Sequence, residues 1–352
     1  MAQKQLRICM VGFGHAAIAF LRLLMEKKDE LDREYGYEIL ITAIAGRSKG
    51  NLIDDQGIDL EALLKRYQLS GQIQMVATDP KHNSPALLST LDIIAGAKAD
   101  SLLELSSLSI MDGQPAISHI QKAFERGLHV ITANKGPIAW DYQRLKALAE
   151  SRGLFFLHET TVMDGTPIFN LVSETLHGCK ILSFKGILNS TTNFILTEME
   201  TGSSFDDAVT EAQRRGFAEA DPSMDVDGWD AAAKTSAIAN VILKSALKPT
   251  DIERTGIRSV SAEDINKAKG DGKKIKLICE AFIKDDKIIG RVHPVLIPNT
   301  ELYSTIDATS SILSITTDLM GEVSIIEKNP EIAQTAYGIY SDLLTLIKKL
   351  RK

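Results

Sequence analysis

The sequence contains few cysteines. Cys9, Cys179 and Cys279 lie too far apart for the paired spacings of zinc sites, redox motifs or disulfide frameworks. The N-terminus passes from a polar start directly into a short apolar run, without the longer apolar segment and cleavage site of a signal peptide. Together these features predict a protein of the reducing cytoplasm.

Long apolar runs and basic clusters are also missing. No stretch reaches about 18 consecutive apolar residues, so we expect no membrane span. The 46 acidic residues outnumber the 40 basic ones, giving a formal net charge of −6, and no basic arm suggests nucleic acid as a partner. With 352 residues, 44% of them hydrophobic, the chain is expected to form two domains of an ordinary enzyme with a small-molecule substrate.

The first part of the chain alternates apolar runs with helix-like stretches. Strands are predicted at 6–12, 39–45, 102–105, 129–132 and 154–157, and helices at 16–28, 115–126 and 137–152. This alternation is typical of an α/β fold, a Rossmann-type doubly wound parallel sheet with helices on both faces.

The rhythm changes after residue 159. Strands of mixed polarity are predicted at 180–188, 274–283 and 287–297, with helices at 191–200, 205–215 and 228–247. These segments predict an inserted α+β domain. A last helix, at 330–350, is expected to pack back on the first domain, and the lysine-rich stretch 267–276 to lie on a solvated surface.

A dinucleotide-binding fingerprint follows the first predicted strand. It comprises Gly12, Phe13, Gly14, His15 and Ala16, with Ala17 at the third glycine position of GxGxxG. The first glycine permits a tight turn, and the second lets a pyrophosphate approach a helix N-terminus. The alternative is a simple glycine turn, but the position between a strand and a helix favours cofactor binding.

The end of the second predicted strand indicates which dinucleotide is bound. NAD-binding domains usually carry Asp or Glu there for the ribose 2′-hydroxyl, whereas this chain has Arg47, Ser48 and Lys49. Two cations without a carboxylate favour the 2′-phosphate of NADP, with NAD as a possible cofactor. The alternative is that both cations are merely solvated.

Two further segments carry residues suited to catalysis. Lys135 follows the predicted strand at 129–132, at the sheet edge where ligands of open parallel sheets bind. The stretch 216–234 holds five carboxylates and Lys234, and Asp230 lies four residues before that lysine, on one helical face. The pair could be a surface ion pair or part of a metal site, but a buried helix and a neighbouring lysine favour acid/base chemistry and an ammonium-bearing substrate.

Together the motifs resemble homoserine dehydrogenase. They are the fingerprint, TANKGP at 132–137, HETTVMDGTPIF at 158–169, GILNSTTNFIL at 186–196 and GFAEADPSMDVDGWDAAAK at 216–234. The resemblance implies reversible reduction of aspartate 4-semialdehyde to homoserine, on the route to threonine, methionine and isoleucine. It also implies a cofactor domain at 1–158 plus a C-terminal helix at about 327–352, a catalytic and dimerisation domain at 159–326, and a homodimer.

The resemblance also implies roles for particular residues. Lys234 would exchange a proton with the substrate oxygen, with Asp230 orienting it and Lys135 as a second acid/base candidate. Glu219 and Asp225 would hold the substrate amino and hydroxyl groups. A monovalent cation, sodium or potassium, would bind near Glu159 and Val162 through backbone carbonyls.

Two departures from the family pattern stand out. A glycine-rich loop usually precedes the C-terminal helix and closes over the nicotinamide, but this chain has Ile-Glu-Lys-Asn-Pro at 326–330. No C-terminal regulatory domain is expected. The alternatives are a related NADP-dependent sugar or polyol dehydrogenase, which the acidic cluster disfavours, and an NADP-binding regulator without turnover. An acylating aldehyde dehydrogenase is disfavoured because no cysteine lies in these motifs.

Overall fold

The computed structural model describes residues 4–73 and 88–351. Within these residues the first sheet has six strands in the order β3-β2-β1-β4-β5-β6. In chain order they are β1 (Lys4–Val11), β2 (Tyr37–Gly46), β3 (Gly50–Ile53), β4 (Ser101–Glu104), β5 (His129–Thr132) and β6 (Phe156–Leu157). The order is that of a dinucleotide-binding fold, with the switch point between β1 and β4.

Seven helices accompany this sheet in the described residues. They are α1 (His15–Glu26), α2 (Lys28–Glu30), α3 (Leu60–Ser70), α4 (Thr90–Gly96), α5 (Ala116–Glu125), α6 (Lys135–Ser151) and, from the far end of the chain, α13 (Ile332–Leu350). A π-helical turn, Leu31–Tyr35, precedes β2. Strand β1 is buried on both faces, because Ile8 and Met10 enter one core while Cys9 and Val11 enter the other.

The predicted α/β class with a Rossmann-type sheet is confirmed, and within the described residues every strand pairing of the first sheet is parallel except that of β2 with β3. Strand β3 pairs antiparallel with β2 as a hairpin, since only three residues separate the two strands and a parallel return needs a longer crossover. Other boundaries also differ. Strand β6 covers only two residues of the predicted 154–157, and α6 begins at Lys135 because Asn134 caps it by accepting the amide N–H of Gly136.

The second sheet is mixed and has six strands in the order β12-β11-β7-β9-β10-β8. They are β7 (Ile181–Ile187), β8 (Glu253–Arg254), β9 (Lys273–Lys284), β10 (Lys287–Pro298), β11 (Ser311–Thr317) and β12 (Gly321–Glu327). Its helices are α7 (Phe169–Glu174), α8 (Ser190–Glu200), α9 (Phe205–Arg214), α10 (Ser223–Val226), α11 (Trp229–Ile242) and α12 (Ala262–Gly270). Short 3-10 turns lie at Glu159–Thr161, Pro249–Asp251 and Leu302–Thr305.

One face of the second sheet carries the larger core. Phe184, Leu277 and Ile315 pack there with α8 and the alanine-rich α11. Helix α11 ends at Ile242, before the predicted residue 247, because Lys244 adopts a left-handed backbone conformation. On the opposite face, Tyr303 and Ile306 form a smaller core with Ile187, Ile278, Ile297 and Ile312.

Two expectations about the later chain have clear outcomes. Helix α13 does pack on the first sheet, where Ile339 and Leu343 join the core formed with α1. The stretch 267–276 is not uniformly solvated, because Lys276 is fully buried. Its Nζ atom lies 2.9 Å from Oδ1 of Asp307, and 3.1 Å from Oδ1 of Asn193. In the described parts of the chain, no helix is both long and apolar enough to cross a membrane.

Candidate active site

The fingerprint forms an open cradle at the end of β1. Gly12 has a φ of +97°, and a Cβ atom there would lie 2.2 Å from the carbonyl oxygen of Leu105, so the close approach of β1 and β4 requires glycine. Gly14 is the N-cap of α1, and a Cβ built on it meets nothing within 4 Å. Ala17 is buried and lets α1 pack closely on the sheet. The free N–H groups of α1 therefore face open space that suits a pyrophosphate.

The three residues after β2 form the hairpin turn beside this cradle. The amide N–H of Gly12 donates to the carbonyl of Ala45, which brings the end of β2 next to the fingerprint. Arg47 and Ser48 are exposed. Lys49 is half-buried, and its Nζ atom lies 5.6 Å from the centre of the Tyr67 ring.

Phe13, in the fingerprint, contacts the same tyrosine as Lys49. It is buried, and its ring packs edge-on against Tyr67 with 5.0 Å between ring centres. His15 is exposed in the first turn of α1, and Ala16 follows it, half-buried. The fingerprint and the hairpin thus form one continuous surface.

Two lysines share one buried carboxylate at the same edge of the first sheet. Lys135, at the start of α6, places its Nζ atom 2.6 Å from Oδ1 of Asp230, in the first turn of α11. Lys234 lies one turn further along α11, with Nζ 3.4 Å from Oδ2 of Asp230. It also donates to the carbonyl of Leu188 at 2.7 Å. The structure thus joins residues 95 positions apart in one cluster.

Asn189 links this cluster to Asp225. Its Nδ2 atom donates to Oδ1 of Asp225 at 2.7 Å and to Oδ2 of Asp230 at 2.8 Å. The same side chain caps α8 by accepting the amide N–H of Thr192. Sequence reasoning gave Asn189 no role, although an Asn just before a predicted helix is a recognisable cap.

The charges of the cluster shift its proton affinities. Burial alone would raise the pKa of Asp230, but the ammonium groups of Lys135 and Lys234 hold it well below its usual range. Burial opposes the charge on Lys234, yet Asp230, Asp164 and Asp225 outweigh it and raise the pKa of this lysine. Burial and the nearby Asp230 raise the pKa of Asp225. Lys234 is therefore protonated and positively charged at neutral pH.

A second polar cluster supports the cofactor edge and was not anticipated. Glu104, the last residue of β4, is fully buried and accepts a hydrogen bond from Ser106. Its Oε1 atom also lies 3.2 Å from Nδ1 of His119. Asn134, next to Lys135, donates to the carbonyl of Ser106 at 3.1 Å. These contacts fix the strand ends between the fingerprint and the two lysines, Lys135 and Lys234.

Comparison with known proteins identifies the family. Residues 167–344 match the family model described as homoserine dehydrogenase. A homoserine dehydrogenase from Methanocaldococcus jannaschii is 36% identical, over 98% of this chain and 99% of that protein. This chain belongs to the homoserine dehydrogenase family.

Other relatives agree with this assignment. A protein of Pseudomonas canavaninivorans named NAD(+)-dependent homoserine dehydrogenase is 35% identical, over 96% of this chain and 95% of the relative. The solved structure of a homoserine dehydrogenase from Thiobacillus denitrificans has a TM-score of 0.83 and 28% identity, covering 99% of this chain and 74% of that one. Family membership excludes the sugar or polyol dehydrogenase that the nucleotide-binding motifs also allowed.

The remaining predicted site residues make none of the described side-chain hydrogen bonds or ion pairs with Lys135, Lys234 or Asp230. Glu219 is exposed on the turn between α9 and α10, and none of the described hydrogen bonds or ion pairs joins its carboxylate to Lys135 or Lys234. Val162 is buried. Glu159 is buried too, and its two carboxylate oxygens accept the amide N–H groups of Phe169 and Asn170 at 2.7 and 2.8 Å.

The contacts of Glu159 bear on the expected cation. Its carboxylate caps the start of α7, so a cation beside it would have to share oxygens that are already hydrogen-bonded. Burial raises the pKa of Glu159. Within residues 4–73 and 88–351, His, Cys, Asp and Glu side chains form no group of three arranged to hold a metal ion.

The loop that departs from the family pattern is ordered against the second sheet. Oδ1 of Asn329 accepts hydrogen bonds from the hydroxyls of Thr309 and Ser310 at 3.4 and 3.3 Å. Its backbone has a φ of +43°, a conformation that asparagine tolerates better than most residues. Glu327, the last residue of β12, belongs to the same segment, and the hydroxyl of Thr166 hydrogen-bonds to it.

Proposed function

We propose that this protein catalyses the reversible, NAD(P)-dependent conversion of L-aspartate 4-semialdehyde to L-homoserine, a step in threonine, methionine and isoleucine biosynthesis. The observation that carries the proposal is the cluster of Lys135 and Lys234 around Asp230. It lies at the sheet edge that also holds the fingerprint, so a reducing cofactor and a proton donor can meet there.

The residues of the cluster suit the proton step. A bound nicotinamide cofactor supplies the hydride to the aldehyde carbon. Lys234 then donates a proton to the developing alkoxide, and in the reverse direction it returns to the charged form on accepting one. Asp230 holds the two ammonium groups side by side, so that Lys135 can also hydrogen-bond the substrate oxygen and lower the cost of its negative charge.

The acidic side chains around the cluster suit an amino-acid substrate. Asp225 is half-buried beside Asp230, and it can accept hydrogen bonds from the substrate hydroxyl or ammonium. Glu219 lies on an exposed turn, so it would reach the same substrate only from the outer side of the pocket. Carboxylates at both positions favour a substrate that carries an ammonium group over a neutral sugar.

For the cofactor, we infer a preference for NADP over NAD. Arg47 and Ser48 are exposed next to the fingerprint, and the turn carries no carboxylate that would bind a ribose 2′-hydroxyl. Lys49 lies over Tyr67 and adds positive charge to the same surface. The Pseudomonas relative is named NAD(+)-dependent, so the contacts of this turn, rather than family membership, have to decide the preference.

We keep a monovalent cation, sodium or potassium, as a proposed ligand near Glu159 and Val162. Support comes from the buried carboxylate of Glu159 in a sequence that resembles the family's cation loop. The experiment is an assay in sodium, potassium or tetramethylammonium chloride at equal ionic strength. Equal rates in all three salts would remove the cation from the proposal.

The open face of the second sheet supports a homodimer. Its strands leave one contiguous half-buried patch on the face away from α8 and α11, formed by Ser183, Lys185, Glu280, Phe282, Ile289, Arg291 and His293. The guanidinium of Arg291 stacks over Phe282 at 5.3 Å. We propose that a second copy covers this patch, with 159–326 as the catalytic and dimerisation domain and 1–158 plus about 327–352 as the cofactor domain. A monomer in sedimentation analysis would refute this.

The cytoplasm remains the proposed location. Cys9 and Cys279 are buried and Cys179 is half-buried, and all three are free thiols, as expected in a reducing compartment.

One assay tests the activity directly. NADPH and NADH oxidation would be followed with aspartate semialdehyde, beside NADP and NAD reduction with homoserine. Turnover in both directions supports the proposal. Cofactor binding without turnover would instead favour the regulatory alternative.

A further inference from the structure

The helix that carries Lys135 is divided by a kink. Helix α6 begins at Lys135, and the backbone of Asp141 inside it is not helical, with a φ of −149° and a ψ of 23°. A kink of this kind interrupts the regular hydrogen bonds of a helix. Lys135 therefore lies on a short first segment, 135–140, whose position is not fixed by the hydrogen bonds of the rest of α6.

Contacts at both ends join this first segment to the first sheet. At its start, the side chain of Asn134 accepts the amide N–H of Gly136 at 3.0 Å. At its end, Nε1 of Trp140 donates to the carbonyl of Ile110 at 2.8 Å. Both partners lie in loops that follow strands of the first sheet, so these contacts do not set the distance between the segment and α11.

A side chain of α11 makes a third contact with the segment. Asn240 is buried near the end of α11, and its Nδ2 atom donates to the carbonyls of Ile138 at 3.1 Å and Ala139 at 3.3 Å, in the turn before the kink. The hydroxyl of Ser245 donates to Oδ1 of Asn240 at 2.6 Å, which fixes the orientation of the amide. The first segment is thus bound directly to the helix that carries the shared carboxylate.

A second amide ties the two helices together beyond the kink. Gln143, in the longer segment of α6, donates through Nε2 to the carbonyl of Asn240 at 2.8 Å and to that of Ser245 at 2.9 Å. We call Asn240 and Gln143 the helix clamp. Because a buried amide is costly unless its hydrogen bonds are made, the clamp specifies one arrangement of α6 on α11.

Building on the proposed function, we propose that Asn240 and Gln143 are positioning residues for the reaction. They hold the first segment of α6 against α11, so that the Nζ atom of Lys135 stays 2.6 Å from Oδ1 of Asp230, the carboxylate that it shares with Lys234. The side-chain donors of the clamp bind backbone carbonyls, so the clamp acts on catalysis through Lys135. Loss of the clamp should lower turnover only while Lys135 is present.

The first test is independent of activity. Acetylation of Lys135 by acetic anhydride is followed by peptide mass spectrometry, with the exposed Lys267 of the same protein as the internal standard. In Asn240→Leu, Lys135 should react at least about five-fold faster, because losing one hydrogen bond changes the population of the held segment by about that factor. Gln143→Ala should accelerate the reaction at least about two-fold, the lower end of the same range. Because Gln143 is exposed, this second variant keeps the fold even if Asn240→Leu does not.

The second test compares turnover in two backgrounds. Asn240→Leu should lower kcat with aspartate semialdehyde at least about five-fold in the native protein and cause no further loss in Lys135→Ala, because a positioning residue acts only through the group that it positions. Thr42→Val is the control. Thr42 is fully buried on β2, and its hydroxyl donates to the carbonyl of Lys98 at 2.9 Å, so this variant loses a similar contact elsewhere. It should change neither kcat nor the acetylation of Lys135.

The two tests together decide the inference. Faster acetylation of Lys135 in the clamp variants, with a loss of kcat confined to the background that retains this lysine, supports it. Unchanged acetylation in both variants, or an equal loss of kcat in both backgrounds, overturns it. If the native protein converts no aspartate semialdehyde, the proposed function fails, and the acetylation rates still decide whether the clamp positions Lys135.

Discussion

Replacing Lys234 with alanine separates the proton donor from the rest of the cluster. The variant loses the ammonium group that hydrogen-bonds the carbonyl of Leu188 at 2.7 Å and lies 3.4 Å from Asp230. Asp230 is not left unpaired, because Lys135 remains 2.6 Å away and Asn189 still donates to it at 2.8 Å. The fold should therefore survive, with a cost of about 2 kcal/mol, the usual value of a hydrogen bond to a charged group.

The effect on catalysis should be larger than the effect on stability. Loss of a positioned general acid lowers turnover by roughly 100-fold or more, which corresponds to about 2.7 kcal/mol of transition-state stabilisation. The fingerprint is the proposed main binding site of the cofactor, so the dissociation constant of the cofactor should change by less than about two-fold. Steady-state rates in both directions, together with fluorescence titration of NADPH, measure the two quantities separately.

The comparison with Lys135→Ala decides between the two lysines. The exposed Lys267, in the last turn of α12, provides a control for loss of a positive charge, and Lys267→Ala should leave turnover unchanged. If Lys234→Ala retained near-native turnover while Lys135→Ala lost it, Lys135 would be the proton donor and the reasoning from the raised pKa of Lys234 would be refuted.

Three further predictions concern substrate, cofactor and stability. Asp225→Asn should raise the KM for homoserine and leave NADPH binding unchanged. Glu219→Gln should raise this KM less, because Glu219 is exposed. Loss of NADPH binding in either variant would show that the residue does not belong to the substrate pocket. Arg47→Ala should weaken NADP at least about ten-fold and spare NAD, since a charged hydrogen bond contributes roughly 1.5–3 kcal/mol; equal weakening of both would argue against a phosphate contact. Burial lowers the pKa of His158 to about 3, from a value of 6.5 in the unfolded chain. The free energy of unfolding of the native protein should therefore decrease by about 2 kcal/mol between pH 7.5 and pH 5, and that of His158→Phe should not show this decrease.

The sign of the His158 effect follows from proton binding. Between pH 6.5 and about 3 the unfolded chain binds a proton that the folded chain excludes, so the free energy of unfolding decreases as the pH falls through 6.5. Urea unfolding at both pH values gives the measurement. A variant as acid-sensitive as the native protein would show that other groups dominate.

Local sequence patterns predicted two parts of the site, the fingerprint and the contact between Asp230 and Lys234. The fingerprint needs only a strand, a glycine turn and a helix start, all adjacent in sequence, and Gly12 and Gly14 occupy those positions. The contact between Asp230 and Lys234 also follows from the four-residue spacing on α11. The alternation of apolar runs with helix-like stretches likewise predicted the α/β class, because the spacing of apolar residues within each strand or helix is a local property of the sequence.

Contacts between distant segments were not predictable in this way. Lys276 was expected in a solvated stretch, yet β9 buries it where Asp307 and Asn193 arrive from other parts of the chain. The hairpin of β2 and β3 was missed because β3 has four half-buried residues and no strong periodicity. Strand direction here depended on the length of a turn rather than on an apolar pattern.

The sequence by itself determined the cofactor loop, the class of fold and the residue types available for acid/base chemistry, because short-range periodicity and spacing encode them. Only the tertiary structure decided that Lys135 and Lys234 share one carboxylate and that Asn189 joins it to Asp225. Charges interact according to distance in space, and folding alone sets the distances between residues that lie far apart in the chain.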